Sequence, residues 1–241
     1  MVAAPKNLIF LLSVLFTILA CQPESGTISR TFESKKQNNW TLSELLWFED
    51  ESNAQATWAP FGTAHSVARS FESWAQDSRA QLPLPDFRNK LSLNCWEYVL
   101  YVALKFKRIT KLKTQDILNA RKRGENISGL IGTKIGLIRY SIKNGSVKAE
   151  WPKATVAGDL IFMDETSHVV QTTGRLDTSG RMEIISFSPR PIWGDGSAER
   201  PIPSTKPQIT TIESLIEEMI ELYPDVPSDW NQINLTVVRP R

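Results

Sequence analysis

Two cysteines and two histidines are all that this 241-residue chain contains, and that scarcity narrows its chemistry. A disulfide framework needs cysteine pairs and a structural zinc centre takes four Cys and His ligands. Neither is expected here, and no metal or cofactor is. No sign of charge is in excess: 28 Lys and Arg face 26 Asp and Glu, for a net charge of +2. The basic residues are scattered apart from Arg121-Lys122-Arg123, so no nucleic-acid partner is expected. Beyond the N-terminus no run approaches the roughly 20 apolar residues that cross a bilayer, and no fixed-period repeat is visible. With 41% hydrophobic residues, one sizeable core is expected.

What is present starts with an export pattern. Lys6 precedes an apolar stretch from Leu8 to Ala20, and Ile18-Leu19-Ala20-Cys21 resembles a lipobox, in which the cysteine is acylated and becomes the mature N-terminus. The alternatives are an ordinary secretory signal with an incidental cysteine, or an uncleaved anchor. Residues 1–21 are thus read as a lipoprotein signal, 22–38 as a polar tether and 39–241 as one domain. The expected location is the bacterial cell envelope, lipid-anchored, and the outer membrane in a Gram-negative source because Gln22 follows Cys21. If Cys21 carries lipid, Cys95 has no partner in the chain and is either a buried or a working thiol.

Thr41 and Glu44 form a capping-box pattern before Leu42, Leu45 and Leu46. Helical spacing of Val67, Phe71, Trp74 and Ala75 predicts a helix over 66–76. The clearest helix runs from 94 to 107, with Asn94 as N-cap, Glu97 three residues on, and Cys95 in the first turn. Another is predicted over 114–123, stopping at Gly124. From Ala154 the period changes: Gly158-Asp159 turns into a strand over 160–163, His168 opens a second, Asp177 to Gly180 make a hairpin, and 182–188 form a third. Residues 189–208 read as a loop, 211–222 as an amphipathic helix and 235–238 as a late strand. The fold class is α+β.

Helix-borne Cys95, then Gly158-Asp159-Leu160-Ile161-Phe162, then His168-Val169 at a strand start, resemble the core of the NlpC-type cell-wall cysteine peptidases of the papain-like fold. The resemblance covers roughly residues 90–190. It implies a nucleophile-bearing helix packed on an antiparallel sheet, with Cys95 as nucleophile and His168 as base. By position it places the third catalytic group at Ser186, where the family commonly has His, Asn or Asp. The usual Asp-Cys-Ser-Gly is replaced by Asn94-Cys95-Trp96-Glu97, which marks a divergent branch. A helix N-terminus favours thiolate over thiol, so Cys95 is expected to ionise readily. Asn94 is a candidate oxyanion donor in competition with its capping duty. Trp96 is read chiefly as packing beneath the site, with lining the cleft as the alternative, and His65 is read as a surface or capping residue.

The leading expectation is a membrane-anchored thiol hydrolase that cleaves amide bonds, with peptidoglycan stem peptides as substrate. The alternatives are an acyltransferase or deamidase on the same scaffold, and a non-catalytic lipoprotein that binds a wall component or protein.

Overall fold

The computed structural model describes residues 39–50, 56–58, 69–78, 82–88, 91–143, 146–149, 151–163, 168–188, 206–222 and 232–241, all within one compact unit spanning Lys36–Arg241. The lipobox Cys21, the 22–38 tether, His65 and most of the 189–208 loop lie outside them. In chain order the elements are α1 (Leu42–Leu45), α2 (Trp47–Asp50), β1 (Thr57–Trp58), β2 (Arg69–Ser70), α3 (Phe71–Gln76), β3 (Leu91–Leu93), α4 (Cys95–Lys105), α5 (Lys111–Lys122) and α6 (Ser128–Ile131). There follow β4 (Gly132–Lys143), β5 (Ser146–Ala149), β6 (Leu160–Met163), β7 (His168–Leu176), β8 (Met182–Ser186), β9 (Gln208–Thr211), α7 (Ile212–Leu222) and β10 (Gln232–Pro240). The class is mixed α+β, as expected. No helix among the described residues is long and apolar enough to cross a membrane.

Seven strands form one antiparallel sheet in the order β5-β4-β10-β6-β7-β8-β9, and β1-β3-β2 make a small parallel one. The meander β6-β7-β8 falls where the alternation predicts it. Asp177 closes its hairpin by accepting the amides of Ser179 and Arg181, and Gly180 supplies a φ of 78°. The predicted late strand is longer than 235–238 and takes a central place between β4 and β6.

Side-chain alternation splits the core in two. Leu160, Phe162, Val169 and Ile185 join α4 and α5 in one cluster, while Ile161, Met163, Val170 and Ile184 pack with Ile212, Leu215 and Ile216 of α7 in the other. The helix predicted over 66–76 is shorter: Arg69 and Ser70 pair with Leu91 and Ser92 as β2, and α3 begins only at Phe71. The helix predicted from Thr114 starts at Lys111 instead, because Thr110 caps it through the amide of Lys113. It ends as expected at Gly124, which takes a φ of 69°.

The turn before β6 is tightly built. Asp159 is buried, accepts the amide of Val156 and pairs with Arg239 of β10 at 2.9 Å. This matches the reading of Asp159 as a turn-holding residue. Gly158, at φ +86°, lies against the Trp40 ring so closely that an added Cβ would stand 1.8 Å from it.

Candidate active site

Helix α4 brings Cys95 onto the sheet. The side-chain oxygen of Asn94 accepts the amides of Trp96 and Glu97, and Glu97 accepts the amide of Asn94 at 2.8 Å, which completes the capping box. Capping uses only one end of the Asn94 amide: Nδ2 is buried and has no hydrogen-bond partner among the described residues. The competition expected between the cap and an oxyanion role therefore does not arise, since the acceptor serves the helix and the donor is left over. Trp96 is fully buried, its ring 4.9 Å from that of Phe162. It packs in the core and does not line an open cleft.

Cys95 and Val169, the residue after His168, pack in the same core cluster, and the Val169 backbone amide favours the ionised form of the Cys95 sulfur. His168 reaches Ser186 instead: Nε2 and Oγ lie 3.2 Å apart, and Ser186 Oγ lies 3.2 Å from Ser188 Oγ. The structure thus joins two of the three sequence-expected catalytic residues directly and sets the third one residue away. In register, His168 faces Met163 and has the parity of Val170, not of Val169. Its side chain is therefore directed off the α4 side of β7. Sulfur and imidazole approach the same stretch of strand from different sides, and no hydrogen bond joins them.

Electrostatics differ from the expectation of a ready thiolate. Cys95 is only 6% exposed, and burial pushes its thiol up to about 11, against the lowering pull of the Val169 amide and of the Arg121 charge. Desolvation of the sulfur outweighs the helix N-terminus and the neighbouring cation. His168 keeps some accessible surface, yet packing around the ring pulls its pKa down to about 4. At neutral pH both groups are uncharged, a thiol on the α4 side of β7 and a neutral imidazole directed off that side.

Arg121 is the residue that sequence reasoning missed. It sits 5.6 Å over the Trp96 ring and acts on Cys95, Glu97 and Glu72 together. Burial lifts Glu97 to about 7, the nearby Glu72 carboxylate adds to the rise, and the Asn94 amide and Arg121 oppose it. The signal was available: Thr114, Ile117, Leu118 and Arg121 follow i, i+3, i+4, i+7 spacing, so Arg121 continues the buried stripe of α5.

These shifts set a pH test. His168 has its folded pKa depressed from about 6.5 to about 4, so its neutral ring contributes stability that is present above pH 6.5 and lost as pH falls toward 4. Glu97 is raised from about 4.3 to about 7, so its contribution is present below its unfolded pKa and lost as pH rises through 7. The two slopes oppose each other between about pH 4.5 and 6.5, each worth about 3 kcal/mol over its full window. Urea titrations at stepped pH are expected to give a nearly flat parent. His168→Asn should lose stability as pH rises through that range, and Glu97→Gln should gain it. Identical slopes in all three proteins would contradict the assigned environments.

Among the described residues, no cluster of three or more His, Cys, Asp or Glu is placed to hold a metal. Comparisons of the chain with protein-family models, with curated proteins and with solved structures find no match.

Proposed function

We propose that the protein is an envelope thiol hydrolase that cleaves amide bonds through Cys95 and His168, with peptidoglycan stem peptides as substrate and an acylated Cys21 as its membrane anchor. It represents a divergent NlpC-type, papain-like peptidase. The observation that carries this reading is the packing of α4 on β7, which puts Cys95 in one core cluster with Val169, the residue next to His168. Ser186 Oγ stands at Nε2 of His168, 3.2 Å away.

In the reaction, His168 takes the thiol proton as the sulfur attacks the amide carbonyl, and a C–S bond forms as the C–N bond breaks. The departing amine takes the proton from His168. Water then cleaves the thioester, giving the acid and restoring the thiol. The unpaired Nδ2 of Asn94 and the Cys95 amide are the oxyanion donors, and preorganised donors of this kind are typically worth about 3–4 kcal/mol each. Ser186 orients the ring without adding charge, so the imidazolium draws no support from a carboxylate. Chemistry begins only after substrate entry has rearranged the start of β7 so that the imidazole comes to the sulfur's side, since the resting groups are neutral, unbonded and directed to different sides of the strand.

Turnover of purified wall fragments by the full chain is expected to vanish in both Cys95→Ala and His168→Ala. A Cys95→Ala protein as fast as the parent would eliminate the hydrolase. The raised thiol pKa and the missing sulfur-to-imidazole bond favour one other reading, a non-catalytic lipoprotein that binds a wall component. It predicts that the parent binds fragments without ever releasing product.

A further inference from the structure

A cavity of about 260 Å³ lies between α4, α5 and the sheet, with the Trp40 ring in its lining. Val99, Leu100 and Ala103 from α4, Ile117 from α5 and Leu160 from β6 give it an apolar body. Three cations, Arg108, Lys113 and Arg241, border it. Arg108 is engaged, since it holds Glu44 at 2.8 Å and lies 5.0 Å over the Trp40 ring. Lys113 of α5 brings a positive charge to the lining that no ion pair among the described residues neutralises.

The cavity is more than a packing fault. Gln171, 2% exposed, is part of its lining, and Oε1 of that side chain is a buried acceptor with no partner among the described residues. Its Nε2 makes only a long 3.5 Å bond to Gly158. Buried amide oxygens are rarely left unpaired, because the lost hydration is not recovered. A purely apolar void would be a defect, whereas an apolar body with one waiting acceptor and a cationic border has the makings of a ligand site.

We infer that this cavity binds a small anionic amphiphile: an apolar chain inside, a carboxylate or similar anion beside Lys113, and a hydroxyl or amide N–H on the body that satisfies Gln171. The volume equals roughly nine waters at about 30 Å³ each, which suits a chain of about eight carbons and excludes a full-length lipid. The site goes beyond the hydrolase reading and is independent of it, because neither Cys95 nor His168 lines the cavity.

The test uses the full chain in phospholipid nanodiscs with a diazirine analogue of octanoate, the crosslinks being mapped by peptide mass spectrometry. Label is expected in the peptides bearing residues 99–103 and 109–117, with octanoate competing and octylammonium not. Lys113→Glu should lower the yield about ten-fold and Lys113→Arg should retain it. Lys113 is only partly buried, so this pair reads the charge without threatening the fold. Ala103→Trp should fill the cavity and remove the label. Hydroxyoctanoates are expected to compete about ten-fold better than octanoate where the hydroxyl meets Gln171. Label spread over the surface, equal competition by octylammonium, or indifference to Lys113→Glu would overturn the site. A hydroxyoctanoate series no better than octanoate would overturn the role of Gln171. Cys95→Ala should leave the label unchanged, which separates this inference from the hydrolase.

Discussion

Iodoacetamide at pH 7 should alkylate Cys95 about 300-fold more slowly than a free cysteine. Only the thiolate reacts, and a free cysteine has a pKa of about 8.5, whereas burial holds Cys95 at about 11. The thiolate fractions at pH 7 then differ by roughly two and a half powers of ten. Measured against pH, the rate should climb tenfold per unit through pH 9 and level off only near pH 11. Arg121 lowers the thiol pKa through its charge, so Arg121→Met should slow alkylation further and Arg121→Lys should largely restore it. Rapid labelling at pH 6 to 7 would mean that the sulfur is already ionised in the resting protein, and the neutral pair described above would be wrong. A wall fragment that speeds the labelling would mark the rearrangement proposed for substrate entry.

Gly158→Ala should cost about 2–6 kcal/mol of stability. Two penalties combine. At φ +86° a residue with a Cβ is strained, typically by about 1–3 kcal/mol. The new methyl would also stand 1.8 Å from Trp40 Cδ1, and overpacking of that kind typically costs about 1–3 kcal/mol more. Trp40 has little room to retreat, held edge-on to Phe106 at 6.1 Å and under the Arg108 guanidinium. Urea unfolding separates the two terms. In a Trp40→Ala background the same glycine substitution should cost only the backbone strain, about 1–3 kcal/mol. A change under 0.5 kcal/mol in the parent would show that Gly158 and Trp40 do not meet as described.

Local chemistry made part of this molecule legible in its sequence. Asn94 and Glu97 announce the start of α4, Asp177 and Gly180 announce a hairpin, and the apolar run from Leu160 to Met163 announces a strand buried on both faces. The long strand β4 gave no such notice. Gly132, Lys134 and Gly136 dilute its β-forming residues, and Leu137 is exposed next to buried Ile138, so alternation shows only from Ile138 to Tyr140. Strand β2 was misread for another reason: Val67, Phe71 and Trp74 keep helical spacing, but pairing with Leu91 and Ser92 claims Arg69 and Ser70. Tertiary pairing overrode local preference there.

At the candidate site, the pattern of residues showed which groups share a neighbourhood and not how charged they are. Position at a helix N-terminus argued for a thiolate, and it describes Cys95 correctly as far as the helix goes. What reverses the conclusion is the enclosure of the thiol by α4 and the sheet, a long-range property with no short sequence signature. Parity along β7 is likewise invisible until the register Met163↔His168 is known. Arg121 and the Nδ2 of Asn94 emerge only when α5 and the cap are seen in place.

The position of β10 has a bearing on how this chain reaches its native state. Residues 232–240 bridge β4, which begins a hundred positions earlier, and β6, some seventy positions earlier. Before they dock, the sheet is two separate pieces, β5-β4 and β6-β7-β8-β9, each with an open edge able to capture a stray strand. Such distant pairings pay a large loop-closure cost before they are rewarded, so docking is slow. The chain therefore exposes both edges until its last strand arrives, and any break ahead of Gln232 leaves two aggregation-prone halves where the intact protein has a closed seam.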